Sequence, residues 1–227
     1  MTPLPRRARP LLGTLVELAA DGPPSAFEAA FDAIAEVQRA LSRFDAASEI
    51  GRFNEAAAGA VIAVGADAQA VLGTAARLAA LSGGRFDVAL GSGRWRLDGG
   101  QLVKLDAATR LDLGGIAKGH AVDRAVEALR AAGAGEGCVN AGGDLRTFGM
   151  RGVEVELRDE VEGGVRRFGR LHDGAFATSR LRPHGGHRVR HASVAAPQAL
   201  WADALTKFVA LGLPLPAGFG AQAWVHA

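Results

Sequence analysis

Along this chain, segments with a helical hydrophobic period and segments with a strand period follow one another without regular strand–helix–strand alternation, and that order constrains the fold most. Residues 11–20 predict a strand. Residues 25–43 set Phe27, Phe31, Ile34, Val37 and Leu41 at helical spacing with charges between them, and Ser25 is a candidate N-cap. The polar stretch "DAASEIGRFN" carries a short helical turn, and "GAVIAV" (59–64) predicts a strand. A second amphipathic helix covers 66–82 through Val71, Leu72, Ala75, Leu78 and Ala79, and "SGG" stops it. "RFDVALGSGRWRLDGG" is irregular, whereas "QLVKLD" and "TRLDLG" predict short strands. A helix over 116–132 buries Val122, Val126 and Leu129, shows Asp123, Glu127 and Arg130 to solvent and stops at Gly133. "GCVNAGGDLRTFG" predicts a strand entering a glycine turn. "GVEVELRD" and "RRFGRLH" predict an antiparallel pair, and "GAFATSRL" a further strand. Residues 199–211 predict a last helix, starting near Trp201, before a tail with a final strand or loop. The order predicts an α+β fold, with mixed, mainly antiparallel sheets and packed helices, rather than a doubly wound sheet.

The chain's 227 residues suffice for a sizeable core, and 48% apolar with 22% charged residues is ordinary for a soluble protein. A net charge of +2 argues against a nucleic-acid partner. Residues 164–191 concentrate seven arginines and four histidines against Asp173, but no groove-reading helix accompanies them, so a solvated basic face is expected. His184, His187 and His191 lack an acid or thiol to complete a zinc set. The lone Cys138 excludes an internal disulfide framework and fits a reducing compartment. The basic, apolar start resembles a signal peptide, but Glu17 interrupts it and Leu15–Leu18 alternate as a strand. We therefore expect a cytoplasmic protein with no membrane segment.

Arginine is the default cation; Lys104, Lys118 and Lys207 are the only lysines. Lys118 lies in "LDLGGIAKG", a glycine pair leading into a helix, where first-turn amides and a point charge favour an anion. Gly119 follows it, so the pattern is not a Walker A loop. "WADALTKFVALG" sets Asp203, Thr206 and Lys207 on one helix face; Asp and Thr oxygens suit Mg²⁺, although a first-turn Asp also suits the helix dipole. Asp144 after a second glycine pair, and Asp87 in "SGGRFDVALG", read singly as turn residues.

In this order, "LLGTLVEL", "LSRFDAASEIGRFN", "GGRFDVALG", "LDLGGIAKGHAVDRAVEALRAAG", "VNAGGDLRTFG", "GAFATS" and "SVAAPQALWADALTKFVALG" resemble the ApbE family of FAD:protein FMN transferases. The resemblance spans roughly residues 9–212. It implies one flavin transferase domain of T-fold-like α+β architecture over 9–215, with a basic tail at 1–8 and a C-terminal tail at 216–227. It implies FAD as substrate, Mg²⁺ as cofactor and an acceptor protein whose Thr or Ser hydroxyl receives FMN as AMP leaves. Asp203 and the Gly115 carbonyl would hold the metal, and Lys118 would contact FAD. Leu12, Ser48, Glu49, Ile50, Asn54 and Asp87 would line the FAD site.

Two departures stand out. The family commonly has its metal-ligand threonine four residues after the aspartate, where this chain has Lys207; Thr206, one earlier, is the candidate substitute. The family segment resembling "HIIDPRTG", with its catalytic histidine, is shortened here to "RLRPHGGHRVRHASVAAP". His191 is the first candidate base, and His184 and His187 follow. The alternative reading is an FAD-binding homologue, or a hydrolase releasing FMN and AMP.

Overall fold

A helix forms where Phe27, Phe31, Ile34, Val37 and Leu41 repeat, and the computed structural model, which describes residues 3–158, 163–181 and 190–226, buries all five. In chain order the first elements are β1 (Arg6–Leu11), β2 (Thr14–Ala20), α1 (Pro24–Leu41), α2 (Glu49–Glu55), β3 (Val61–Ala63) and α3 (Ala66–Leu81). There follow β4 (Trp95–Asp98), β5 (Gln101–Lys104), α4 (Ala117–Ala131), β6 (Gly137–Ala141), β7 (Asp144–Phe148) and β8 (Val153–Arg158). The last are β9 (Val165–Leu171), β10 (Ala175–Leu181), β11 (Arg190–Ala196), α5 (Ala199–Ala210) and β12 (Gln222–His226). Among the described residues, no helix is long and apolar enough to cross a membrane.

Seven strands form one antiparallel sheet in the order β1-β2-β6-β7-β10-β11-β12. Its helical face carries α4 on β6 and β7, and α5 on β7, β10 and β11, with α1 packed on α4. The β8–β9 hairpin covers the other face, where Val155, Leu157 and Phe176 bury a small cluster with Phe168 and Trp224. A three-stranded sheet, β3-β5-β4, accompanies α2 and α3. The α+β architecture with antiparallel sheets is the one the element order predicts.

Local differences from the sequence expectation have identifiable causes. Residues 11–20 are not one strand: Leu11 pairs with Thr14, leaving a two-residue turn in which Leu12 and Gly13 take φ of 55° and 70°. Such turns favour glycine or asparagine, so Leu12 is held in a left-handed conformation at some cost. "TRLDLG" forms no strand, because the Asn54 amide takes over the role of a strand partner. Its Nδ2 donates to the Leu111 carbonyl at 3.0 Å and its Oδ1 accepts the Leu111 N–H at 2.7 Å. Strand β1 starts at Arg6, earlier than the expected strand start at 11, and β12 is the final strand expected in the C-terminal segment; the two close opposite edges of the sheet. Ser25 is not the α1 N-cap; Pro23 holds that position.

Asp123 is the main correction. Expected on the solvent face of α4, it is 5% exposed. Its carboxylate accepts the N–H groups of Ala199 and Leu200, both at 2.8 Å, and pairs with Arg146 at 2.7 Å. The first turn of α5, whose own N-cap Gln198 makes no side-chain bond, is thus capped from α4. Gly119 completes the junction: a Cβ there would stand 2.2 Å from the Ala199 carbonyl oxygen, so only glycine allows α4 and α5 this close. We expect Asp123→Ala to strand Arg146 and two amides and to cost about 3–5 kcal/mol of stability by chemical denaturation. A loss below about 1 kcal/mol would show that α5 is held by its apolar face alone.

Candidate active site

Lys118 is the second residue of α4, and its ammonium meets the Asp144 carboxylate at 2.5 Å across the gap between α4 and β7. Asp144 gets there because the preceding hairpin turn is Gly142–Gly143, with φ of 62° and 100°, a tight geometry that glycine supplies without strain. Asp144 is 3% exposed. Burial disfavours the charge on Lys118, but the negative charges of Asp144 and Asp203 outweigh it and raise the lysine's pKa. Asp144 is pushed up from its ordinary 3.8 to about 6, by burial first and by the Asp203 charge second; Lys118 and Lys207 offset this only in part.

Asp203, 1% exposed, lies one turn into α5. Its Oδ1 meets the Lys207 ammonium at 2.6 Å, and the Gly119 N–H reaches its Oδ2 at 3.3 Å. Lys207 also donates to Ser179 Oγ at 3.0 Å and to the Asp203 carbonyl at 3.2 Å. Thr206 donates to that same carbonyl at 2.7 Å, and its Oγ1 lies 2.7 Å from Ser179 Oγ. Gly115 lies directly against the lysine: a Cβ there would come within 2.9 Å of Lys207 Cε. Two buried acids and two lysines thus share one cluster between α4, α5, β7 and β10.

Two cavities adjoin the cluster and a third lies beyond them. One, of about 550 Å³, is lined by Leu12, Leu41, Phe44, Leu113 and Lys118 among others. A second, of about 320 Å³, has Asp87, Gly115 and Lys207 in its wall, and a third, of about 340 Å³, has Asn54. Asp112 lines all three, its Oδ1 bonded to the Gly114 N–H at 2.9 Å and its Oδ2 facing Arg43 at 3.3 Å. The result is a branched cleft with apolar walls toward α1 and cations where it meets α4 and α5.

The sequence-predicted residues divide accordingly. Gly115, Lys118, Asp203 and Thr206 come together in one cluster. Leu12, Asn54 and Asp87 line the cleft, Leu12 donating its N–H to Gln38 and Asp87 accepting those of Ala89 and Gly91. Ser48, Glu49 and Ile50 line none of the three cavities. Ser48 caps α2 through the Gly51 N–H, Glu49 accepts the Gly65 N–H, and Ile50 is fully buried. His191 is not brought to the cluster. It pairs with Arg180, one position out of phase with Ser179, and its ring stacks on His226 on the face covered by the β8–β9 hairpin. His184 and His187 lie outside the described residues. Sequence reasoning missed Asp112, Asp123 and Ser179, and took Asp144 for a turn residue. The scarcity of lysine was the one available signal, since Lys118 and Lys207 each mark a buried acid. Lys104, the third, is fully buried and caps the C-terminus of α2 through the carbonyls of Phe53 and Asn54.

A sequence model of the ApbE family matches residues 12–95 and 91–181. No curated protein sequence matches the chain. Among solved structures, the flavin transferase ApbE from Vibrio cholerae superposes with a TM-score of 0.80 at 19% identity, covering 99% of this chain and 98% of that one. The apo flavinyl transferase ApbE of Pseudomonas stutzeri gives 0.74 at 22% identity, over 92% of this chain and 84% of that one. The ApbE protein from Thermotoga maritima gives 0.74 at 20% identity, over 89% and 85%. At these identities the structural likeness shows the fold.

The electrostatics of the cluster carry a direct test. In the ligand-free chain the Asp144 side-chain carbon should titrate near pH 6 by NMR. Because this folded-state pKa is raised, the stability that Asp144 contributes is complete below its unfolded pKa and is lost as pH rises through about 6. A midpoint below about 4 would mean that Lys118 outweighs burial.

Proposed function

The chain belongs to the ApbE family, whose sequence model matches most of it, and from that premise we propose that it is an FAD:protein FMN transferase. In the proposed reaction the oxygen of an acceptor Thr or Ser bonds to the FMN phosphorus of FAD. The bond from that phosphorus to the bridging oxygen breaks. AMP leaves with the bridging oxygen, and the hydroxyl proton passes to the AMP phosphate or to solvent. The observation that carries the reading is Lys118, set in the first turn of α4 at the wall of the 550 Å³ cavity and opposed by Asp144. A diphosphate needs positive charge at its oxygens and gains little from a neutral site, and a lysine beside a helix N-terminus supplies such charge. The apolar wall of Leu12, Leu41 and Leu113 suits a flat, largely apolar ring system. We further propose the cytoplasm as its compartment, on the lone cysteine.

The family resemblance also implies Mg²⁺, with Gly115, Asp203 and Thr206 as its ligands. The donors do not fit a divalent ion as they are arranged. Asp203 is the only carboxylate of the three, and its Oδ1 is occupied by the Lys207 ammonium. Thr206 Oγ1 is committed to the Asp203 carbonyl and Ser179.

A second reading, an FAD-binding protein or FAD hydrolase, is favoured by His191 lying on the opposite face of the sheet from Ser179 and α5. The experiment that separates the two incubates the chain with FAD and candidate acceptor domains and follows acceptor mass and AMP. The transferase gives an FMN-sized mass gain; AMP without mass gain indicates hydrolysis, and neither indicates binding alone. Lys118→Ala should weaken FAD binding about tenfold, or roughly 1.4 kcal/mol. An unchanged dissociation constant would remove Lys118 from the FAD site.

A further inference from the structure

Lys207 stands where the family expects a threonine ligand, and its ammonium lies among the oxygens that a divalent ion would need. Nζ is 2.6 Å from Asp203 Oδ1, 3.0 Å from Ser179 Oγ and 3.2 Å from the Asp203 carbonyl oxygen. An ammonium has three donors, and these acceptors match them. The distances suit N–H···O bonds and are about 0.5–1 Å longer than Mg²⁺–oxygen coordination. The side chain reaches this position over Gly115, where any Cβ would collide with its Cε at 2.9 Å. The longest of the three contacts goes to a carbonyl already served by Thr206 at 2.7 Å, so that donor can turn to another acceptor without orphaning the carbonyl. The side chain is 32% exposed and lines the 320 Å³ cavity.

Charge balance points the same way. Asp144, Asp203, Lys118 and Lys207 sum to zero within one largely buried cluster. In the ligand-free chain, adding a divalent ion would leave two uncompensated positive charges there or expel Lys207 from its partner, and either is costly in a largely buried cluster.

We propose that Lys207 is a built-in cation that takes the place of the divalent metal, neutralising Asp203 and offering its third donor to a diphosphate oxygen in the 320 Å³ cavity. The ligand class rests on the flavin reading above; the replacement of the metal does not. FAD binding, and any cleavage that follows, is then independent of divalent ions.

The test uses the full chain stripped of divalent ions. Mn²⁺ alone, titrated and followed by electron paramagnetic resonance, finds no site tighter than millimolar in the wild type. In Lys207→Thr, which frees Asp203 Oδ1 and adds a hydroxyl, it binds at least about tenfold more tightly. Lys207→Gln, which keeps the stem and offers an oxygen, serves the same purpose if the threonine variant does not fold, as judged by circular dichroism. Flavin fluorescence then compares FAD affinity in chelator and in Mg²⁺, and the wild type changes by less than about twofold. A Mn²⁺ site tighter than millimolar in the wild type overturns the proposal. So does Mn²⁺ binding to neither folded variant, or a wild-type FAD affinity that rises about tenfold with Mg²⁺. A chain that binds no FAD in any condition defeats the flavin reading, while the Mn²⁺ comparison still decides the role of Lys207.

Discussion

The site depends on a carboxylate that does no chemistry. Asp123 projects from the middle of α4, accepts the first two N–H groups of α5 and is held by Arg146 of β7. Three elements that carry the charged side chains of the cluster are thereby fixed to one buried point: α4 bears Lys118, β7 bears Asp144 and α5 bears Asp203 and Lys207. A helix whose N-terminus was left to solvent could fray at its first turn, and Asp203 lies in the next. Gly119 makes the arrangement close enough to matter, since the Ala199 carbonyl occupies the space of its missing side chain. The position of the charges in the cleft is therefore set by backbone capping and by one absent methyl group, before any ligand contributes.

Much of this was legible in the sequence, and the illegible part has a common cause. Helices with a strong apolar stripe, such as α1 and α4, were readable because their burial repeats locally. The glycine pairs marked the turns that bring Lys118 and Asp144 near the cleft. What periodicity could not reveal was which polar residue on an otherwise apolar-facing helix finds a partner from far along the chain. Asp123 sits at a position that reads as solvent-facing, and only the arrival of Ala199, 76 residues later, makes it interior. Asn54 is the same case, since its amide replaces a strand partner for Leu111 and abolishes a strand that the local pattern predicted. Residues assigned through family likeness behaved similarly: Ser48, Glu49 and Ile50 build the α2 junction, while the acid lining all three cavities is Asp112.

The three lysines illustrate why residue choice can be informative where periodicity is not. In a chain that uses arginine elsewhere, each lysine sets a compact ammonium against buried oxygen acceptors: the carbonyls at the end of α2, the Asp144 carboxylate, and Asp203 with Ser179. A guanidinium would present five donors in a rigid fork, whereas the ammonium acceptors are two at Lys104, one at Lys118 and three at Lys207.

An internal cation also changes how the cleft exists without ligand. Asp203 and Asp144 are almost completely buried, and a buried carboxylate without a partner is expensive. In a site built for a metal, that cost is carried by the empty state and relieved when the ion arrives. Here Lys118 and Lys207 relieve it in the folded chain itself, so the cluster is assembled before any ligand binds. On the flavin reading proposed above, the consequence is a weaker field at the diphosphate oxygens, because a lysine paired with an aspartate presents less net charge than a divalent ion paired with the same group. On that proposal, greater readiness is coupled to lower electrostatic power, and both follow from one side chain, Lys207, passing over Gly115 to reach Asp203.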